Sequence, residues 1–297
     1  LSESTPVFGF LNVNKPPGMT SHDVVAKIRR GLGVKKVGHA GTLDPLATGV
    51  LVVCLGAATR LSEYVMDSTK RYRARLCLGI TTDTYDAEGE ILRQRDSTHI
   101  TQADVEAALA AFTGEIDQIP PMYSAIKHGG RKLYELARAG ETIEREARRI
   151  QIDALVVGEW SPPYFMLDVT CSAGTYIRSL AYDLGEALGV GAHLAGLIRV
   201  ASGRFTLENA AGLENLLSTS DWRNFVIPPQ AALADWPVVN LDRAAYDDIA
   251  HGRAIPGAQE ESLRALAYAP DGEFIAILKS ENGLWKPHKV FLHSDQL

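Results

Sequence analysis

Apolar residues recur along this chain with two periods, and the switches between them mark out its elements. Phe8-Gly9-Phe10-Leu11-Asn12-Val13 reads as a short strand, closed by the turn sequence Asn14-Lys15-Pro16-Pro17-Gly18. Val24, Ile28 and Leu32 then fall at helical spacing, with Lys27, Arg29 and Arg30 on other faces. A helix is therefore predicted over Ser21–Leu32, capped by Thr20 or Ser21 and ended by Gly31 and Gly33. Gly49–Leu55 is a strand-like apolar run, and Tyr72–Leu78 alternates polar and apolar residues as a strand does. Residues 102–112 predict a helix with Val105, Leu109 and Phe112 on one side. Gln118-Ile119-Pro120-Pro121 breaks the chain before a charged insertion over 122–149. Strands are predicted at about 150–158 and 164–171, and a helix over Ser179–Leu188. Strand and helix do not alternate regularly enough for a doubly wound parallel sheet. The pattern predicts an α+β fold with a mixed, largely antiparallel sheet flanked by helices.

A change of character near residues 220–236 predicts a boundary. Pro228-Pro229 and a helix-like Gln230–Asp235 lead to Trp236-Pro237. Short strands follow at Val238–Leu241, Ser262–Ala269 and Glu273–Lys279, with the hairpin dipeptide Asp271-Gly272 between the last two. The expected division is residues 1–235 as one domain and 236–297 as a small β barrel.

The 297 residues and 46 % hydrophobic content allow a sizeable core. Cys54, Cys77 and Cys171 are too few and scattered for a disulfide framework or a zinc site, and fit reduced core positions in a cytoplasmic protein. No signal peptide is visible in Leu1–Pro6, and the longest apolar stretch, Leu46–Ala58, is short of a membrane span. The net charge of −6 argues against a nucleic-acid partner until its distribution is considered. Residues 1–75 carry 11 Lys+Arg against 5 Asp+Glu, a net of +6, while residues 76–204 and 205–297 each carry −6. The basic quarter can steer a polyanion despite the global balance.

That quarter also contains the densest chemical signal, Gly38-His39-Ala40-Gly41-Thr42-Leu43-Asp44-Pro45-Leu46-Ala47-Thr48-Gly49. It places one carboxylate on a constrained turn at the edge of a strand. The alternative is an Asx-turn in which Asp44 caps its own loop. Phosphate-binding glycine loops, zinc-ligand spacings and a nucleophile elbow are all absent from the sequence. Lys70-Arg71-Tyr72 and Gly174-Thr175-Tyr176-Ile177-Arg178 offer tyrosines beside cations. Read as a strand, the second segment points Tyr176 and Arg178 to one face. An arginine near Asp44 would keep that acid ionised, and tyrosine faces suit stacked bases, although core packing is the alternative for each tyrosine.

Six ordered segments, Gly9–Ser21, Lys36–Leu51, Lys70–Tyr72, Pro120–Tyr134, Gly174–Arg178 and Gly191–Arg199, resemble the TruB family of tRNA pseudouridine synthases, which isomerise uridine 55 of the T-loop. Residues from 236 onward more loosely resemble a PUA-type RNA-binding module, best at His251-Gly252-Arg253-Ala254-Ile255-Pro256. The resemblance implies a pseudouridine-synthase-type fold with a C-terminal PUA-like domain. It makes Asp44 the catalytic aspartate, Tyr72 the residue stacked on the target uracil and Arg178 the partner of Asp44. His39, Tyr176, Leu197, Lys15 and Lys70 become substrate-binding residues. The insertion becomes a thumb closing over RNA through Lys127, Arg131 and Lys132.

The implied partner is the T-arm of tRNA, bound by a monomer with no obligatory protein partner and no membrane. The reaction breaks N1–C1′, rotates the uracil and joins C5 to C1′. It has no redox change, so neither cofactor nor metal is expected. An ionised carboxylate could trap the cationic sugar or start an elimination. The competing readings are a structural RNA-binding subunit and a subunit that depends on a guide RNA.

Overall fold

The structure, a computed structural model, describes residues 7–124, 126–141, 143–258, 260 and 263–292, and only the backbone of residues 127, 128, 132 and 138. Its larger sheet is built on β1 (Gly9–Lys15), β2 (Thr48–Leu55), β3 (Lys70–Leu78), β4 (Gly114–Gln118), β5 (Arg148–Ser161), β6 (Tyr164–Cys171) and β7 (Ala192–Ser202). Their order across the sheet is β1-β2-β7-β3-β6-β5-β4, with short strands at Val37–His39, Phe205–Thr206 and Ala211–Gly212 added at its margins. β2 and β7 run parallel, and the other neighbours from β1 to β7 run antiparallel. The sheet is mixed and largely antiparallel, as the sequence pattern predicts.

β2 is apolar at nearly every position because both of its faces are covered. Leu51, Val53 and Leu55 join one core with helices α1 (Ser21–Gly31), α2 (Gln102–Leu109) and α3 (Ile177–Ala187). Val50, Val52 and Cys54 join a second core that includes Leu266, Phe274 and Ile277 from the C-terminal sheet. All three cysteines are free and buried.

Three predicted elements need correction. α1 starts as expected, with Thr20 and Asp23 forming a capping box. The second predicted helix ends as an α-helix at Leu109 and continues only as a 3-10 turn to Phe112. α3 begins earlier than predicted. Gly174, at φ +83°, turns the chain, and extended Tyr176 is the N-cap. Arg178 therefore lies in a helical first turn, and the strand argument that paired it with Tyr176 on one face fails. β7, in the middle of the sheet, lies where no strand is predicted. The 122–149 insertion is also more ordered than a loop. It contains a two-stranded hairpin, Lys127–His128 with Arg131–Lys132, and a helix over Leu133–Arg138, while Arg148 and Arg149 already belong to β5.

The C-terminal strands are β8 (Val238–Asn240), β9 (Arg264–Tyr268), β10 (Phe274–Glu281) and β11 (Leu284–Val290), with Ile255–Pro256 beside β11. They form a five-stranded sheet that curls into a half-barrel, consistent with a PUA-like domain. Helix α4 (Arg243–Ala250) and the residues Ile249, Ile275, Leu278 and Trp285 supply a core of its own. Ser262, the first residue of the predicted 262–269 strand, lies outside the described residues. Phe8 packs on Phe274 and Phe291, with ring centroids 6.1 and 5.0 Å away, and so joins the two sheets. Among the described residues no helix is long and apolar enough to cross a membrane.

Candidate active site

The loop that carries Asp44 is clamped on both sides of the acid. Before it, Ser21 Oγ accepts from Leu43 N at 2.8 Å and donates to Leu43 O at 3.0 Å. After it, Pro45 O accepts from Gly18 N at 3.0 Å and from the Lys15 ammonium at 3.3 Å. Gly49 lets the loop rejoin the sheet. Its φ is +94°, and a Cβ there would lie 2.3 Å from Arg199 O, so only glycine fits. The turn closes through Ala47 N donating to the backbone carbonyl of Asp44 at 3.1 Å. Asp44 directs its carboxylate to another element instead of capping its own turn.

That element is α3. Arg178 Nε lies 3.0 Å from Asp44 Oδ2, and Arg178 Nη1 lies 3.5 Å from Asp86 Oδ2. Arg178 also donates to Tyr123 O at 2.8 Å and to Thr84 O at 3.3 Å. Its side chain is 7 % exposed, whereas that of Asp44 is 41 % exposed. The arrangement is a buried guanidinium held from behind that offers one edge to a carboxylate facing solvent. Asp86 is itself fixed, with Thr84 Oγ1 donating to Oδ1 at 2.6 Å and Glu88 N at 3.1 Å. The balance on Asp44 is a correction to the expectation that Arg178 simply depresses its pKa. Although 41 % of its side chain is exposed, the protein atoms crowded around it raise its pKa from the ordinary aspartate value, Arg178 opposes this, Asp86 raises it further and Lys15 lowers it.

Tyr72 lies on β3 opposite Arg199 on β7, and Leu197 is two residues along on the same face. The ring is buried, and Asp44 is near enough for its charge to contribute to the raised pKa of the phenol, whose main cause is burial. Tyr176 also has its pKa raised, first by burial, and also feels Arg178 and Asp44. Gln118 at the end of β4 locks the backbone of Tyr176 from both sides. Its Oε1 accepts from Tyr176 N at 2.8 Å and its Nε2 donates to Tyr176 O at 3.0 Å. His39 packs edge-on against His22 at 5.2 Å, and its buried Nδ1 has no partner among the described residues. Burial and the neighbouring His22 and Arg199 bring its pKa to about 4, so it is neutral at pH 7.

Two expected substrate contacts are corrected. Lys15 is fully buried, and its ammonium donates to Pro16 O at 2.9 Å, Met19 O at 2.6 Å and Pro45 O. Lys70 is also buried, donating to Met66 O at 2.8 Å and to Ser68. Desolvation lowers each to about 8. Both position backbone and have no face left for RNA. Of the thumb cations, Arg131 pairs with Glu141 at 3.0 Å, and the side chains of Lys127 and Lys132 lie outside the described residues. Among the described residues no cluster of three or more His, Cys, Asp or Glu is placed to hold a metal ion. Asp86, Gln118 and Arg199 are site residues that sequence reasoning missed. Asp86 lies in the carboxylate-rich turn Asp83-Thr84-Tyr85-Asp86-Ala87-Glu88-Gly89, and Arg199 closes the family-like segment Gly191–Arg199.

Comparison with known proteins gives this geometry its context. Residues 29–177 match the N-terminal domain of TruB family pseudouridylate synthase. The chain belongs to the TruB family. Residues 178–233 and 236–292 match the two C-terminal domains described for tRNA pseudouridylate synthase B and tRNA pseudouridine synthase II. A tRNA pseudouridine synthase B of Symbiobacterium thermophilum is 52 % identical over 84 % of this chain and 84 % of its own. One from Thiobacillus denitrificans is 47 % identical over 96 % of both chains. Among solved structures, a chain in the crystal structure of a Cbf5-Nop10-Gar1 complex is 29 % identical, with a TM-score of 0.75, covering 97 % of this chain and 86 % of that one. The shared fold thus extends from TruB enzymes to a protein crystallised with partners.

Proposed function

We propose that this TruB-family chain isomerises uridine 55 in the T-loop of tRNA to pseudouridine, with Asp44 as the catalytic aspartate. The observation that carries the reading is the Asp44–Arg178 pair on a clamped loop, beside Tyr72. The target nucleotide leaves its stack at a cost of a few kcal/mol and is held by stacking on the protein. Tyr72 supplies the ring face, Leu197 packs beside the base, and Tyr176 lines the slot. His39, neutral at pH 7, contacts the RNA through its ring without adding charge. Asp44 meets C1′ or its neighbour as the N1–C1′ bond breaks, and an ionised carboxylate stabilises the cationic sugar. Arg178 holds that carboxylate on the open side of the loop. The uracil turns within the slot, C5 joins C1′, the C5 proton is lost to solvent and the freed N1 takes up a proton, so the product is an isomer of the substrate.

Residues 1–235 form the catalytic unit and 236–297 a PUA-like unit. Support for this division comes from the second sheet, which starts at Val238, and from the family match that starts at residue 236. The 122–149 thumb, including Lys127, Arg131 and Lys132, contacts the RNA. The chain acts in the cytoplasm as a monomer, without guide RNA or obligatory protein partner. Identity of about half to relatives named as tRNA enzymes, against 29 % to the Cbf5 chain, favours the stand-alone reading over the guided one. The test is purified protein alone on unmodified tRNA transcript, with pseudouridine mapped by carbodiimide modification and primer extension. Pseudouridine at position 55 is expected. Modification elsewhere, or only after RNA or protein is added, would contradict the reading.

A further inference from the structure

Arg199 is a cation in an unusual place. It lies on β7 in the middle of the sheet and is 1 % exposed. It forms no ion pair among the described residues, and burying an unpaired charge is costly unless hydrogen bonds satisfy it. Its donors are spent on neutral acceptors. Nε donates to Val50 O at 2.7 Å, Nη2 to Gly41 O at 3.0 Å and Nη1 to Thr42 O at 3.3 Å. Tyr72 is the direct cross-strand partner of Arg199 on β3, and the guanidinium is close enough to oppose the rise in the phenol pKa that burial causes. Gly41 is shaped to this contact. Its φ of +100° is a conformation that favours glycine, and it turns the carbonyl-bearing loop beside the guanidinium.

These acceptors lie on two walls. Gly41 and Thr42 immediately precede Leu43-Asp44, so they fix one side of the Asp44 loop. Tyr72 provides the ring on the other side. We propose that Arg199 is a positioning residue that cross-links these walls and so sets the width of the slot between Asp44 and the face of Tyr72. Arginine suits this role because its guanidinium offers five donors in a rigid planar fork. A lysine ammonium at the same position holds fewer acceptors and imposes no fixed angle between them. Because guanidinium has no acceptor, it can engage the phenol only as a donor, and the cross-strand register keeps Tyr72 beside it. This inference rests on the reading that Asp44 and Tyr72 flank the substrate.

The test uses the full chain and a T-arm RNA hairpin with tritium at C5 of the target uridine. For Arg199→Lys, the single-turnover rate at saturating RNA should fall by about 10²-fold, the scale expected for a misplacement of about 1 Å. RNA affinity should stay within about threefold of wild type, because Arg199 is too buried to touch RNA. Tyr72→Phe removes the anchor and keeps the ring, and the double variant should be no slower than the slower single variant. Arg199→Gln replaces Arg199→Lys if the lysine variant does not fold. An unchanged rate, a loss confined to affinity, or fully multiplicative losses in the double variant would overturn the inference. Wild type with no tritium release would overturn the functional reading instead, which separates the two failures.

Discussion

Lys35 and Lys36 stand exposed on the approach to the Asp44 loop, and neither forms an ion pair among the described residues. In the C-terminal sheet, Lys279 and Lys286 both close on Glu281, at 3.1 and 2.9 Å. On and beside α4, Arg253 pairs with Asp248 at 2.7 Å and Arg243 with Asp247 at 3.5 Å, while Lys289 pairs with Glu63. The cations of the first quarter that turn inward, Lys15 and Lys70, hold backbone carbonyls. The lesson is that a count of cations does not measure what RNA can use. A cation already paired with a carboxylate gains little by exchanging it for a phosphate, whereas a free one releases a counterion on binding. Charge-driven RNA affinity should therefore come from the first quarter, with the C-terminal unit contributing shape and the packing that covers β2.

The comparison can be broken at several points. The largest expected effect falls on the buried support of the acid. Arg178→Met should lower the single-turnover rate by about 10²–10³-fold, typical of losing one preorganised charge contact, with little change in RNA affinity. Loss of affinity instead would mean that Arg178 grips RNA directly. The next effect is on stability. Gly49→Ala forces a side chain onto Arg199 O at a φ of +94°, and thermal or denaturant unfolding should show a loss of at least about 2 kcal/mol.

The pH profile sharpens the same point. In the proposed mechanism Asp44 acts ionised, and burial raises its pKa, so kcat/KM should fall with decreasing pH at a value above that of a free aspartate, about 3.9. Arg178 pulls in the opposite direction, so removing it in Arg178→Gln should move that acid limb to higher pH. A limb that stays in place would show that the pair does not govern the titration. On the surface, Lys35→Ala with Lys36→Ala should reduce the slope of log affinity against log salt by about 1 to 2. The smallest effect is expected for Lys279→Ala with Lys286→Ala, which should leave that slope unchanged and shift affinity by less than about 0.5 kcal/mol.

Much of this was legible in the residues themselves. Val24 and Ile28 at helical spacing gave α1, and the unbroken apolar run from Val50 to Leu55 gave β2, because a strand covered on both faces needs no alternation. Asp44 could be singled out by its glycine-dense, proline-bounded loop, whereas the pairing of Arg178 with it and the place of Tyr72 came from the family resemblance, since the strand argument for Arg178 fails. β7 was not legible. Its sequence, Ala-His-Leu-Ala-Gly-Leu-Ile-Arg-Val-Ala-Ser, places Arg199 in the interior of a sheet, and register shifts near Gly196 and beyond Arg199 break the alternation. The value of that arginine depends on carbonyls some 150 positions away in the chain, which no local pattern encodes. Lys15 and Lys70 misled for the opposite reason. A lysine beside a candidate site looks like a phosphate contact until its ammonium is found turned inward onto carbonyls.

The most direct measurement is single-turnover release of tritium from a T-arm hairpin labelled at C5 of the target uridine, made alongside a binding titration for wild type and Asp44→Asn. Wild type should release the label, and the variant should bind the hairpin equally well and release none. Sustained release by Asp44→Asn would contradict the assignment of the chemistry to this carboxylate.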